Sequence, residues 1–114
     1  MNTNIIENNK IIADFIGWEK YSHDRYSNIK NFKIYYCEDL KFHSDWNWLM
    51  EVVEKIESLN YTTDVQNIIG LGHYFRIYSA GADVITVRDY DTKIKSVYRG
   101  CLEFIKWYNL NSVS

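Results

Sequence analysis

The sequence lacks several features that mark particular classes of protein. It contains no proline, only two cysteines, and no apolar run near the ~20 residues that a membrane-spanning helix requires. Cys37 and Cys101 lie far apart, which excludes a disulfide framework. The polar start at Met1–Asn4 has no signal-peptide pattern, so we expect reduced thiols and a cytoplasmic location. A length of 114 residues suits a single domain, 1–114, with one hydrophobic core.

A basic stripe is also lacking. The formal net charge is -2, lysines are scattered among carboxylates, and Arg76 and Arg88 are the only arginines in the strand-like region. Proteins that coat DNA or RNA derive much of their affinity from neutralising phosphates with clustered cations. We therefore expect no nucleic-acid polymer as a partner, and no membrane.

Patterns that carry catalysis or metal binding are missing too. No His-x-x-x-His, Cys-x-x-Cys or Glu-x-x-His spacing occurs, so neither a metal nor another cofactor is expected. The segment 70–72 (Gly-Leu-Gly) lacks the rest of a phosphate loop and is typical of a hairpin turn. His43, Ser44 and Asp45 resemble a catalytic fragment, but Ser44 or Asp45 is better explained as a helix N-cap. We predict that the protein is not an enzyme.

Apolar periodicity predicts three helices. The first runs from about Asn4 to Ile16 and stops at Gly17, the second runs from Ser44 or Asp45 to Leu59, and the third starts at Asp91 or Thr92.

Four segments have strand composition, and the stretch between the first helix and the first strand is predicted as a long loop. The strands are Phe32–Cys37, Tyr61–Ile69, His73–Ser79 and Val84–Tyr90, and the loop is Trp18–Lys30. The order α-β-α-β-β-β-α predicts an α+β fold with a mainly antiparallel four-stranded sheet and three helices on one face.

The second and third predicted helices carry unusual residues. Trp46 lies in the apolar stripe of the second helix and is predicted to be core, whereas Trp48 lies at the edge of that stripe. Gly100 in mid-helix costs ~1 kcal/mol relative to alanine, which indicates a close approach by another helix of the domain or by a partner. Trp107 lies near Gly100 on the predicted helix surface, and together they form the Gly100/Trp107 ridge.

Aromatic residues are abundant, with 10 tyrosines and 4 tryptophans. Strand alternation places an apolar set toward the helices, namely Phe75, Ile77, Ile85 and Val87. The opposite face carries Tyr74, Arg76, Tyr78, Thr86, Arg88 and Tyr90. This face suits a flat ligand with a phosphate, because rings stack on a base and arginine holds phosphate. A solvated face of good β-formers and a dimer interface are the other interpretations.

Segments covering about half the chain resemble a known group of sequences. Residues 41–57 are similar to a "YHxSWDWLMPVVEKIE" segment, with Glu51 where proline is usual, and residues 93–109 resemble a closing "KIxxVYxxxxEFIKWYN" helix. Residues 12–17 resemble the start of the same proteins. This is a largely uncharacterised family of short proteins from bacteriophages and bacterial genomes.

The resemblance implies a phage-type protein in a bacterial host cell, a setting in which small proteins often sequester nucleotide signals of host immunity. The resulting hypothesis is a counter-defence protein that binds a nucleotide-like ligand. Its candidate ligand-binding residues are Trp48, Tyr74, Arg76, Tyr78, Arg88 and Tyr90, with His43 and Tyr21 from nearby loops. The alternative is a module that binds and blocks a host protein through the same aromatic face or the Gly100/Trp107 ridge. A homo-oligomer stays open in both cases.

Overall fold

Three helices match the periodic segments of the sequence in the computed structural model, which describes residues 3–70, 72–89 and 92–111. They are α1 (Thr3–Phe15), α2 (Trp46–Ser58) and α3 (Lys93–Asn111). None of the helices in these ranges is long and apolar enough to cross a membrane.

The ends of the helices follow the predicted signals. Gly17 has φ 88° and closes α1, where the backbone N–H of Trp18 donates to the carbonyl of Ala13 at 3.0 Å. At the start of α2, a carboxylate oxygen of Asp45 accepts the backbone N–H of Asn47 at 2.8 Å. Asp45 is therefore the N-cap of α2.

Within the described ranges, six strands form two separate antiparallel sheets. The N-terminal sheet contains β1 (Glu19–Ser22), β2 (Arg25–Ser27) and β3 (Ile34–Tyr36), and the C-terminal sheet contains β4 (Thr62–Ile68), β5 (Gly72–Ser79) and β6 (Ala82–Asp89). A short 3-10 helix, Cys37–Asp39, follows β3. The α+β class is confirmed, but the prediction of one four-stranded sheet is wrong, because β3 pairs with β2 rather than with the later strands.

The partner of β3 comes from the segment predicted to be a loop. Residues 19–27 form the β1–β2 hairpin, in which Tyr26 is the only buried side chain. A strand pair with one buried residue shows no apolar alternation, which explains why the sequence pattern did not reveal it. The Tyr26 hydroxyl donates to Asp14 Oδ1 at 2.7 Å and ties the hairpin to α1.

The core lies between the C-terminal sheet and the helices. Phe75, Ile77 and Val87 are buried and Ile85 packs against the core, which confirms the predicted inward set. They face α3, which packs on β5 and β6 and also contacts α1 and α2. The outer face of this sheet therefore carries the polar and aromatic set of the same strands.

Two predictions about helical residues are wrong. Trp46 is 39% exposed rather than core, because it is the first residue of α2 and only the following turns, at Leu49 and Val52, are covered. Gly100 is approached by the ring of Phe75 in β5, not by a helix or a partner. Gly100 is buried in this packing, so it is not part of an exposed ridge.

Candidate functional site

Arg76 is the central cation on the outer face of the C-terminal sheet. Its Nη2 lies 3.3 Å from Asp64 Oδ2, and its Nη1 lies 3.7 Å from Asp83 Oδ1. The guanidinium also lies 4.4 Å from the ring centroid of Tyr78. A phosphate at this position would have to displace two carboxylates and would meet their charge. The geometry therefore disfavours phosphate binding by Arg76.

The other residues of this face also have partners within it. The Tyr74 hydroxyl donates to Gln66 Oε1 at 2.9 Å on the neighbouring strand, and the strand register pairs Tyr74 with the exposed Arg88. Tyr90 lies outside the described residues. Cross-strand pairs of this kind stabilise a solvated sheet face without any ligand.

His43 takes part in a buried polar network between helices. Asn9 Nδ2 donates to the carbonyl of Leu40 at 3.0 Å and lies 3.0 Å from His43 Nδ1, while the Tyr98 hydroxyl donates to Asn9 Oδ1 at 2.9 Å. These bonds fix the Asn9 amide with its nitrogen toward His43. His43 Nδ1 must then accept, which requires a neutral imidazole. Burial lowers the pKa of His43 in agreement with this role, and burial raises the pKa of Tyr98 to about 12.

We expect the stability of the protein to fall as the pH drops below ~6.5, the ordinary range of histidine. The folded state holds His43 neutral, so the unfolded chain binds the proton more readily. Acidification therefore stabilises the unfolded state relative to the folded state. Urea unfolding between about pH 5 and 7 measures this slope, and His43→Gln should flatten it. The exposed His23 gives the control, because His23→Gln should leave the slope unchanged. Equal slopes in all three proteins would contradict the assignment.

Tyr21 lies on the outer face of the N-terminal sheet. The guanidinium of Arg25 lies 5.4 Å from the ring centroid of Tyr21 and 5.3 Å from that of Tyr36. Tyr21 and Tyr36 are both exposed, with Arg25 packed against both rings. Such cation–π contacts at exposed sites contribute about 0.5–1 kcal/mol each.

Trp48 belongs to a different site, which we call the tryptophan cleft. The rings of Trp18, Tyr35 and Trp48 contact one another there, with centroid distances of 5.9 Å for Trp18–Tyr35, 5.3 Å for Trp18–Trp48 and 5.0 Å for Tyr35–Trp48. Trp18 is buried, whereas Tyr35 and Trp48 are half-buried. The three rings come from the connection between α1 and β1, from β3 and from α2, so the fold brings them together from three separate segments.

Polar side chains complete the cleft. A cavity of about 190 Å³ is lined by Trp18, Asn28, Asn31, Tyr35, Asn47, Trp48 and Glu51. A second cavity, of about 230 Å³, shares Trp18 and Glu51 and is also lined by Ile16, Ile29, Lys30, Glu54, Lys55 and Ser58. An ion pair between Lys30 Nζ and Glu51 Oε1, 3.5 Å apart, stands where the two cavities meet. Aromatic walls with a few convergent polar groups are typical of small-molecule sites.

The residues 28–33 form a closely bonded loop over this cleft. Asn28 Oδ1 accepts the backbone N–H of Lys30 at 2.8 Å, and Asn31 Oδ1 accepts that of Lys33 at 2.9 Å. Backbone bonds from Phe32 N–H to the Asn28 carbonyl and from Asn28 N–H to the Lys33 carbonyl close the loop at its base. The loop therefore holds the two asparagines in place before any ligand arrives.

The eight predicted site residues do not form one site. Four lie on the outer sheet face, Tyr90 is outside the described residues, and His43, Tyr21 and Trp48 lie in three other places. The prediction from sequence did not include Trp18, Tyr35, Asn28, Asn31, Asn47 or Glu51. One signal was present, because Asn47 and Glu51 stand four residues apart and share a polar helix face with Trp48 nearby.

A reactive cysteine and a metal site find no support among the described residues. Burial raises the pKa of the Cys37 and Cys101 thiols, which disfavours a reactive thiolate at either position. Within residues 3–70, 72–89 and 92–111, no three histidine, cysteine or acidic side chains cluster as a metal site would require. The tryptophan cleft is the candidate site that the geometry favours.

Comparison with known proteins adds no relative to this description: no protein-family model, no curated protein and no solved structure matches the chain.

Proposed function

We propose that the protein is a non-enzymatic binding protein that holds a nucleotide-like small molecule, base first, in the tryptophan cleft. The observation that carries the proposal is the cavity lined by the rings of Trp18, Tyr35 and Trp48 and by four amide or carboxylate side chains. Rings of this kind accept the flat face of a base, and such stacking contributes about 1–3 kcal/mol per base. The polar side chains supply hydrogen bonds to the edge of the base.

The composition of the first cavity favours binding without conversion. Its lining includes no cysteine, serine or histidine, and its one carboxylate, Glu51, is paired with Lys30 Nζ at 3.5 Å. In the phage-type setting that the sequence resemblance implies, a protein of this kind would sequester a nucleotide signal of host immunity.

The first experiment is thermal unfolding of the purified protein with a panel of nucleotides. The panel holds cyclic mono- and dinucleotides, ADP-ribose and its cyclic forms, NAD and common mononucleotides. A ligand at ~100 times its Kd adds ~2.7 kcal/mol of stability, which raises the Tm of a domain this size by several degrees. A selective rise with the compound recovered unchanged would support sequestration, whereas a converted compound would identify an enzyme.

Variants decide where the ligand binds. Trp48→Ala and the milder Asn47→Ala, at an exposed position on the cleft rim, should reduce or abolish the rise in Tm. Arg76→Ala is the control on the outer sheet face, and the ligand should raise its Tm as much as that of the wild type. The reverse result would be a rise in Tm that is lost in Arg76→Ala and kept in Asn47→Ala. It would place the ligand on the sheet face and contradict binding in the cleft.

An exposed apolar patch favours a second candidate function, which is binding and blocking a host protein. Phe32 is 79% exposed and has φ 60°, a conformation that is rare for a bulky side chain. Ile34, Tyr36 and Tyr21 are exposed on the sheet beside it. Exposed aromatic anchors are typical of protein interfaces. If no compound raises the Tm, and capture of a host protein is lost in Phe32→Ser at unchanged Tm, this function replaces the first.

A further inference from the structure

We infer that the ligand of the tryptophan cleft carries a guanine-type base, and that Glu51 selects this base. The inference rests on the proposed function and concerns the same cleft. It follows from which hydrogen-bonding atoms of the cleft are already used by the protein and which are left for a ligand.

Glu51 supplies a hydrogen-bond acceptor to the cleft. Its side chain is 33% exposed and lines both cavities. Oε1 faces Lys30 Nζ at 3.5 Å, whereas Oε2 has no hydrogen-bond partner within the part of the chain that the structure describes. An ionised carboxylate only accepts hydrogen bonds, so a ligand group beside it must donate.

The loop asparagines supply donors. Their side-chain oxygens are taken by backbone N–H groups, Asn28 Oδ1 by Lys30 and Asn31 Oδ1 by Lys33. These bonds fix the orientation of both amides, which leaves the two NH₂ groups to donate to a ligand. Asn47 adds a third amide one helical turn before Glu51 and on the same side of α2.

Guanine is the common base that offers two neighbouring donors to one carboxylate together with acceptors for amide donors. Its N1–H and N2–H₂ donate side by side to a carboxylate, while O6 and N7 accept from amide NH₂ groups. Adenine would turn the lone pair of its N1 toward the carboxylate, and hypoxanthine lacks the N2 amino donor. A site built for donors rejects analogues that lack them, because its acceptor atoms lose water when the base covers them and are then left unpaired.

The test compares GMP, IMP and AMP, which carry the same ribose and phosphate, by isothermal titration calorimetry. We expect GMP to bind most tightly, IMP to bind roughly 10-fold or more weakly, and AMP to bind more weakly still. Glu51→Gln should lower the affinity for GMP by roughly 10- to 100-fold and reduce the preference of GMP over AMP.

The control is Glu103→Gln, since Glu103 is exposed on α3 and lines neither cavity. It should leave the GMP affinity and the preference unchanged, and the Tm values of both variants should stay near that of the wild type, because an exposed ion pair contributes little. AMP binding as tight as GMP, or an unchanged preference in Glu51→Gln, would overturn this inference alone. Failure of all three nucleotides to bind, while an adenine or pyrimidine compound of the panel raises the Tm, would also overturn this inference alone. Failure of every compound of the panel to raise the Tm would overturn the proposed function together with it.

Discussion

Replacing Gly100 with alanine is expected to destabilise the protein by about 1–3 kcal/mol, and to lower its Tm by on the order of 10 °C. Helix propensity alone predicts the opposite, since alanine is better than glycine by ~1 kcal/mol in a helix interior. A Cβ at position 100 would lie 2.2 Å from Cδ2 and 2.9 Å from Cε2 of Phe75. Phe75 is fully buried in the central strand of its sheet, so its ring can move only by displacing other side chains of the core. The steric cost therefore exceeds the gain in propensity.

Two further variants test this cause by chemical denaturation. Asn109→Ala changes an exposed position of the same helix and should be neutral or slightly stabilising. Phe75→Ala is destabilising by itself, but in that background Gly100→Ala should cost much less, because the Cγ, Cδ2 and Cε2 atoms that a Cβ at position 100 would meet are gone. A Gly100→Ala variant as stable as the wild type would show that α3 can withdraw from β5.

The second large effect is expected for Asn9→Leu, which should lower the free energy of unfolding by about 3 kcal/mol or more. Leucine has a similar size, so the substitution removes hydrogen bonds without a large cavity. The carbonyl of Leu40, His43 Nδ1 and the Tyr98 hydroxyl each lose the partner that Asn9 provides. A buried polar group left without a partner costs about 1–3 kcal/mol.

Tyr98→Phe is the graded comparison for this network. It removes only the bond from the Tyr98 hydroxyl to Asn9 Oδ1 and should cost ~1 kcal/mol. The double variant Asn9→Leu/Tyr98→Phe has no hydroxyl left without a partner. Its loss of stability should therefore be smaller than the sum of the losses in the two single variants. Strict additivity, measured by urea unfolding, would contradict a coupled network.

Local signals predicted the helices and the C-terminal hairpin. Gly17 and Asp45 act within one helical turn of their own positions, so their effects can be read without knowledge of the rest of the fold. Phe75, Ile77 and Val87 alternate with polar or aromatic residues along their strands, because the helices cover only one face of this sheet. The β1–β2 hairpin escaped prediction because only Tyr26 is buried in it, which leaves no period to detect, whereas β3 lies within the predicted strand Phe32–Cys37.

The site depended on tertiary placement, which the sequence pattern does not contain. Arg76 was selected for its charge and strand position, but the carboxylates that hold it come from β4 and from the start of β6, and only the exact register places them. Trp48 was selected, whereas Trp18 and Tyr35 were not, since the three rings meet only after α1, β3 and α2 have packed together. Gly100 indicated a close approach, and the identity of the approaching ring came from the structure.

The bond from the Tyr98 hydroxyl to Asn9 also affects the order of events during synthesis. The two residues are 89 positions apart, and α1 leaves the ribosome long before α3 exists. Until α3 arrives, the inward face of α1 has no partner for the amide oxygen of Asn9. The first helix to be made is thus among the last elements to be completed, and a stalled or shortened chain would expose that face to chaperones and proteases.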